Sequence, residues 1–187
     1  MWNVPNSLTM LRIMLIPVFV GIFYAPNTMI PSHLVNMLAT AAFALAAFTD
    51  WLDGYLARAL NQTSAFGAFL DPVADKLMVA AALVMLVEFD RVGALVAFII
   101  IGREIAISAL REWMAGLGEG SNVAVAFIGK VKTAAQMIAI LFLLYFDPIG
   151  SVNIKFIGQV LIIIAAFLTL LSMAYYLKAA WPRMQAK

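Results

Sequence analysis

Hydrophobic residues run through this chain in long stretches, broken at regular intervals by short polar or proline-containing connections. Six apolar segments can be drawn, at 7–24, 32–56, 66–88, 92–114, 125–146 and 154–177. Each reaches about 20 residues with its interfacial turns, the length at which an α-helix crosses a bilayer. The breaks carry turn chemistry. Ala25-Pro26-Asn27 and Ile30-Pro31-Ser32 bracket the first, and Glu88, Asp90 and Arg91 mark the third. The run from Gly116 to Ser121 marks the fourth, and Asp147-Pro148 the fifth. Pro17 is expected to bend the first helix. No linker, repeat or low-complexity tract interrupts the pattern, so 1–187 reads as one domain.

Composition strengthens this picture. Of 187 residues, 65% are hydrophobic and 12% charged, with a mean hydropathy of +0.99. A soluble domain of this size does not need so much apolar surface. The class is therefore an all-α integral membrane protein. The first apolar stretch lacks a basic leader and a small-residue cleavage site, and reads as a retained span. The absence of cysteine removes disulfides, thiolate nucleophiles and zinc–thiolate sites together. An even number of spans puts both termini on one side. All of the 12 Lys and Arg residues except Arg91 and Lys155 fall on that side or at helix ends near it. By the positive-inside rule the termini face the cytoplasm. No nucleic-acid partner is expected.

Chemistry is concentrated between Asp50 and Asp75, where the chain reads DWLDGYLARALNQTSAFGAFLDPVAD. Carboxylates in or beside membrane helices are costly and persist mainly where they have a task. Asp50 and Asp53 stand three apart at the end of the second segment, Asp71 and Asp75 four apart near the start of the third. Both spacings keep a pair on one helical face. A short connection is expected to make the two helices antiparallel neighbours, so that four carboxylates converge near one membrane surface. Such a cluster repels itself unless cations neutralise it. Oxygen ligands without cysteine, and with one distant histidine, point to hard divalent ions such as Mg²⁺ or Mn²⁺. Two such ions would clamp a diphosphate for displacement. Gly54 and Gly67 permit close backbone approach to a phosphate or nucleotide, and helix packing is the alternative use of a membrane glycine. Arg58 is placed to meet a phosphate oxygen or an aspartate.

A second polar group follows. Arg103, Glu104, Ser108 and Arg111 fall within an arc of roughly 140° on one helix. Lys130, Lys132, Thr133 and Gln136 begin the fifth segment. A basic cluster beside a carboxylate cluster suits two phosphorylated substrates, one held through metal and one through cationic side chains. The alternative is that Arg103 and Arg111 pair with Glu104 and Glu112 and snorkel to the interface. Near the N-terminus, Asn6, Thr9 and Arg12 share a face at three-residue steps within reach of a nucleotide. Capping by Asn6 or Ser7 is the competing use. His33, in the loop opposite the aspartates, is a surface residue by this reading. Trp2, Trp51, Trp113 and Trp181 fit an aromatic belt at the membrane interface.

The complete pattern Asp-x2-Asp-Gly-x2-Ala-Arg-x8-Gly-x3-Asp-x3-Asp resembles the signature of the CDP-alcohol phosphatidyltransferases, with every fixed position filled. PNSLTMLR at the start, the 49–76 block, REIAISALREWMA and SNVAVAFIGKVKTAAQM extend the likeness over nearly the whole chain. They narrow it to the bacterial branch whose acceptor is glycerol 3-phosphate. The resemblance implies six transmembrane helices around a polar active-site cavity open to the cytoplasmic side, in a homodimer of the bacterial inner membrane. It implies transfer of a phosphatidyl group from CDP-diacylglycerol to glycerol 3-phosphate, with release of CMP. Asp50, Asp53, Asp71 and Asp75 would be the metal ligands, with Asp75 also the general base and Asp71 beside it. Asn6, Thr9, Asp50, Gly54, Ala57, Arg58 and Gly67 would line the CDP pocket. Arg103, Arg111, Lys130 and Lys132 are the candidates for the glycerol phosphate site. With no cysteine and a misplaced histidine, a carboxylate base is favoured by elimination as well.

Two other readings fit parts of this pattern. Within the family the acceptor could be serine, inositol phosphate or phosphatidylglycerol, but a neutral or zwitterionic acceptor does not call for the basic cluster. A divalent-cation transporter would place its carboxylates near the bilayer midplane on broken helices. Here they sit together near one surface, with arginines beside them.

Overall fold

The computed structural model describes residues 4–26, 28–59, 65–116 and 123–184. It contains six helices: α1 (Val4–Phe23), α2 (Ser32–Ala59), α3 (Ala65–Glu88), α4 (Ala94–Gly116), α5 (Val123–Tyr145) and α6 (Ile154–Met184). No strand occurs among the described residues; an isolated antiparallel bridge joins Ile149 and Val152 in the α5–α6 turn. Each helix lies on one of the expected apolar segments. α1 begins at Val4, α2 continues to Ala59, and the largest difference is at the C-terminal end of α6, which continues to Met184. Apolarity stops there before backbone hydrogen bonding does, because a helix can continue into polar surroundings. His33 lies in the first turn of α2, exposed, and not in the preceding loop. Among the described residues, three helices have windows long and apolar enough to cross a membrane, at Asn6–Phe23, Ser32–Asp53 and Ile154–Lys178.

Helix packing departs from the simplest expectation in one respect that matters for the site. α1 packs extensively against both α2 and α3, while α2 and α3 touch each other only sparingly. The most extensive pairing is α5 with α6, and α4 rests on α6. Small residues allow these approaches: Ala39, Ala46, Ala74, Ala82, Ala139 and Ala165 are all buried. Gly158 shows how close they are, since a Cβ there would stand 2.8 Å from Leu143 Cγ. Between the alanines the core is filled by Phe19, Phe43, Leu83, Leu86, Ile100, Ile140 and Leu143. Phe19 meets Phe23 edge-on, with centroids 5.5 Å apart.

The bundle end remote from the aspartates is tied by Arg91, buried in the α3–α4 turn. Its guanidinium donates to the carbonyls of Leu143 (3.1 Å) and Leu144 (2.8 Å) and to Asn36 Oδ1 (2.6 Å). Asn36 Nδ2 in turn donates to Asp147 Oδ2 at 3.0 Å. The same guanidinium lies 4.4 Å from the ring centroid of Phe146. Phe146 sits in the left-handed region (φ 59°) just past the end of α5, where glycine is the usual occupant. Cations on its ring, Arg91 and Lys155, help hold it there. Burial lowers the Arg91 pKa and the charge of Asp147 raises it.

Candidate active site

The four signature aspartates come from two helices, and α1 joins them. Arg12 Nη1 donates to Asp50 Oδ1 at 2.5 Å, and Nη2 donates to Asp53 Oδ2. Three residues earlier on the same face, Thr9 Oγ1 donates to Asp71 Oδ1 at 2.6 Å and lies 3.4 Å from Asp53 Oδ2. Asp50, Asp53 and Asp71 are thus gathered around two α1 side chains that are themselves fully buried. Asp75, one turn beyond Asp71, lines a small cavity with Arg12, Phe43, Ala46, Met78 and Met137. It stands within electrostatic reach of Asp50, Arg12, Glu104 and Lys76.

Burial separates the two members of the α2 pair. The Asp53 side chain is 3% exposed and that of Asp50 44%. Asp53 therefore lies on the inward side of the cluster and Asp50 at its open rim. Arg12 neutralises part of the charge of Asp50 and Asp53, Thr9 donates to Asp71, and Arg12 and Lys76 both act on Asp75. The donor set is that of a hard divalent ion. Among the described residues, however, no three carboxylates converge as a metal-holding group. The positive charge between Asp50 and Asp53 is the guanidinium of Arg12.

The sequence anticipated the aspartates but not this role for α1. Asn6, Thr9 and Arg12 are all buried on one face, as their three-residue spacing foretold. Thr9 and Arg12 use their polar atoms on aspartates. Gly67 is buried near the start of α3. Gly54, Ala57 and Arg58 belong to α2, Arg111 to α4 and Lys130 to α5; their side chains lie outside the described residues.

The basic group is brought together by a carboxylate. Lys132 Nζ, on α5, is ion-paired with Glu104 Oε1, on α4. Arg103 Nη1 approaches the same oxygen at 3.4 Å. Arg103 Nη2 donates to Ser172 Oγ on α6 at 2.9 Å, and Ser172 Oγ in turn donates a hydrogen bond to the carbonyl of Thr169. Arg103 also lies 5.9 Å from the Tyr176 ring centroid. Pairing of Arg103 with Glu104, weighed above as the alternative to a substrate role, is present in the fold. Gln136, one turn past Lys132, is buried with Oε1 lacking a hydrogen-bond partner.

Comparison with known proteins decides the relationship. The model of the CDP-alcohol phosphatidyltransferase family matches residues 2–171. The chain belongs to this family. Among its relatives are proteins named CDP-diacylglycerol–glycerol-3-phosphate 3-phosphatidyltransferase. Those of Shigella flexneri serotype 5b (strain 8401) and Escherichia coli (strain K12) are each 51% identical over 181 residues. The protein of that name from Salmonella typhimurium (strain LT2) is 50% identical over the same length. In each case the alignment covers 96% of this chain and 95% of the relative. Asp50, Asp53, Asp71 and Asp75 all lie within the matched residues, as do Thr9 and Arg12.

Proposed function

We propose that this protein transfers a phosphatidyl group from CDP-diacylglycerol to glycerol 3-phosphate, giving phosphatidylglycerol phosphate and CMP. Its family membership and half-identical relatives support this reading. The observation that carries it to particular residues is the gathering of Asp50, Asp53 and Asp71 around Thr9 and Arg12, with Asp75 beside them.

The whole chain acts as one domain with six transmembrane helices. Each helix has at least 20 residues, enough at about 1.5 Å per residue to cross a core about 30 Å thick. Large apolar side chains face outward even on the more polar helices, as Phe69 does on α3 and Leu95 and Phe98 on α4. Such a surface suits lipid and not water. The charge asymmetry supports an orientation with the aspartate end and both termini at the cytoplasmic face of a bacterial inner membrane. There the cavity receives soluble glycerol 3-phosphate while the acyl tails of the donor remain in lipid. The active unit is a homodimer by resemblance to the family.

Asp50, Asp53, Asp71 and Asp75 are the residues to hold Mg²⁺ or Mn²⁺, two ions by the number of carboxylates. When bound, the ions supply charge neutralisation of the diphosphate and of the departing CMP. Asn6, Thr9, Gly54, Ala57, Arg58 and Gly67 frame the CDP moiety. Arg103, Arg111, Lys130 and Lys132 receive the phosphate of the acceptor. Asp75 accepts the proton of the glycerol phosphate hydroxyl as its oxygen bonds to the β-phosphorus. The opposite phosphorus–oxygen bond breaks in line, and its electron pair leaves with CMP. No protein nucleophile is required.

The test is CMP release from CDP-diacylglycerol in detergent micelles, with and without Mg²⁺ or Mn²⁺, against a panel of acceptors. Release only with metal and glycerol 3-phosphate is expected. Release with serine, inositol phosphate or phosphatidylglycerol instead would overturn the acceptor. No release with any acceptor from folded protein would overturn the enzyme reading.

A further inference from the structure

A glutamate inside a membrane bundle is costly, and Glu104 on α4 stands at the edge of two cations almost wholly withdrawn from solvent. The side chains of Lys132 and Arg103 are 2% and 7% exposed, while that of Glu104 is 25% exposed. Of the three, Glu104 is therefore the one that a soluble molecule meets first. Both cations converge on one of its oxygens. Lys132 Nζ is ion-paired with Oε1, and Arg103 Nη1 approaches the same atom at 3.4 Å. Among the described residues, Oε2 accepts no hydrogen bond. A carboxylate serving only to neutralise two cations has an oxygen for each; here one oxygen serves both, and the other is left to accept from elsewhere. Glu104 also lies within electrostatic reach of Asp75. Met137, further along α5 from Lys132, lines the cavity beside Asp75. The carboxylate thus stands near the bases assigned to the acceptor phosphate and near the group assigned to its reacting hydroxyl.

Glycerol 3-phosphate carries a phosphate, a terminal hydroxyl, and a second hydroxyl on the carbon between them. With the phosphate at Lys132 and Arg103 and the terminal hydroxyl at Asp75, the middle hydroxyl falls beside the group that neighbours both. We infer that Glu104 Oε2 accepts a hydrogen bond from the C2 hydroxyl of the acceptor, which makes Glu104 a specificity-determining residue of the reaction. The inference rests on the transferase reading above and deepens it. It adds the contact that tells glycerol 3-phosphate from a phosphorylated alcohol without that hydroxyl. Lysine and arginine hold a phosphate but have no acceptor to offer a hydroxyl proton. A carboxylate oxygen does, and its charge makes the bond stronger than one between neutral groups. An acceptor lacking the hydroxyl would cover Oε2 and leave it unpaired, the situation in which a site rejects an analogue most strongly.

The experiment measures kcat/KM for CMP release by the full chain in detergent micelles with Mg²⁺, using glycerol 3-phosphate and 3-hydroxypropyl phosphate in parallel. The two acceptors share the phosphate and the terminal hydroxyl and differ only in the C2 hydroxyl. Wild type is expected to favour glycerol 3-phosphate by at least about tenfold. Glu104→Ala should bring the ratio close to one, mainly through loss on glycerol 3-phosphate. A purely structural role would lower both acceptors by the same factor, since both need the same Lys132 and Arg103. A wild-type ratio retained in folded Glu104→Ala overturns the contact and leaves Glu104 as a support for the two cations. If Glu104→Ala does not fold, Glu104→Asp decides, because it keeps the charge beside Lys132 but is one methylene shorter. A reduced ratio then upholds the contact, and an unchanged ratio overturns it. A wild type without preference between the two acceptors overturns it as well. No CMP release from wild type with either acceptor would remove the transferase reading itself, and this inference with it.

Discussion

Arg12 on α1 is hydrogen-bonded to Asp53 on α2, 41 positions further along the chain, with both side chains almost wholly withdrawn from solvent. An ion pair so buried holds its helices together mainly through the cost of breaking it: removal of one partner leaves the other charged and unsolvated. The pair fixes how α1 lies against the aspartate end of α2. Thr9, on the same face, does the same for α3 through Asp71.

Asp53 and Asp50 should therefore respond differently to the same change. Asp53→Asn leaves the buried guanidinium with a partner at the exposed rim, and is expected to cost about 3 kcal/mol of stability. Asp50→Asn removes a half-exposed carboxylate whose bond water screens, and is expected to cost no more than about 1 kcal/mol. Both should abolish CMP release. Thermal denaturation in detergent checks the order, and equal shifts for the two variants would show that burial does not set the difference.

Asp75→Asn tests the base. Turnover should fall to background while CDP-diacylglycerol still binds, because Asp75 makes none of the bonds to Arg12 or Thr9 that gather the other three aspartates. Measured binding of the donor alongside the CMP assay separates the two effects. Retained turnover would assign proton removal to another group.

Lys132 offers a test of the acceptor site that stability alone cannot imitate. Lys132→Met should raise the KM for glycerol 3-phosphate several-fold more than that for CDP-diacylglycerol, since it removes a cation assigned to the phosphate. Glu104→Gln leaves the buried ammonium without its carboxylate, and is expected to cost up to about 3 kcal/mol. If Lys132→Met moves both KM values equally, the lysine serves the ion pair that ties α5 to α4 and not the substrate.

At the opposite end, Arg91→Met should lower stability by about 2 kcal/mol, because it leaves the carbonyls of Leu143 and Leu144 and the side chain of Asn36 without their donor. Both KM values should stay at wild-type levels, since none of these groups belongs to the aspartate site. Thermal midpoints and steady-state kinetics on the same preparation check this. A selective rise in either KM would show that the two ends of the bundle are coupled.

The division between what was legible in the chain and what was not follows the range of the interactions. Segments of about 20 apolar residues foretold all six helices, because a helix satisfies its backbone within itself. Spacings of three and four placed Asp50 with Asp53 and Asp71 with Asp75 on single faces, and the signature pointed to the family. These are properties of residues close together in sequence. How the two aspartate pairs meet was not legible. A short connection suggested direct packing of α2 on α3, yet α1 joins them, because Arg12 and Thr9 supply the charge and the proton that carboxylates cannot supply to one another. The sequence left open whether Arg103 pairs with Glu104, and it did not disclose that Lys132 joins them there. The sequence by itself determined the helices, the membrane character and the spacing of the aspartates. Only the tertiary structure decided which cation stands between the aspartates and which bases are already paired, because those partners lie tens of residues apart and meet only when helices pack.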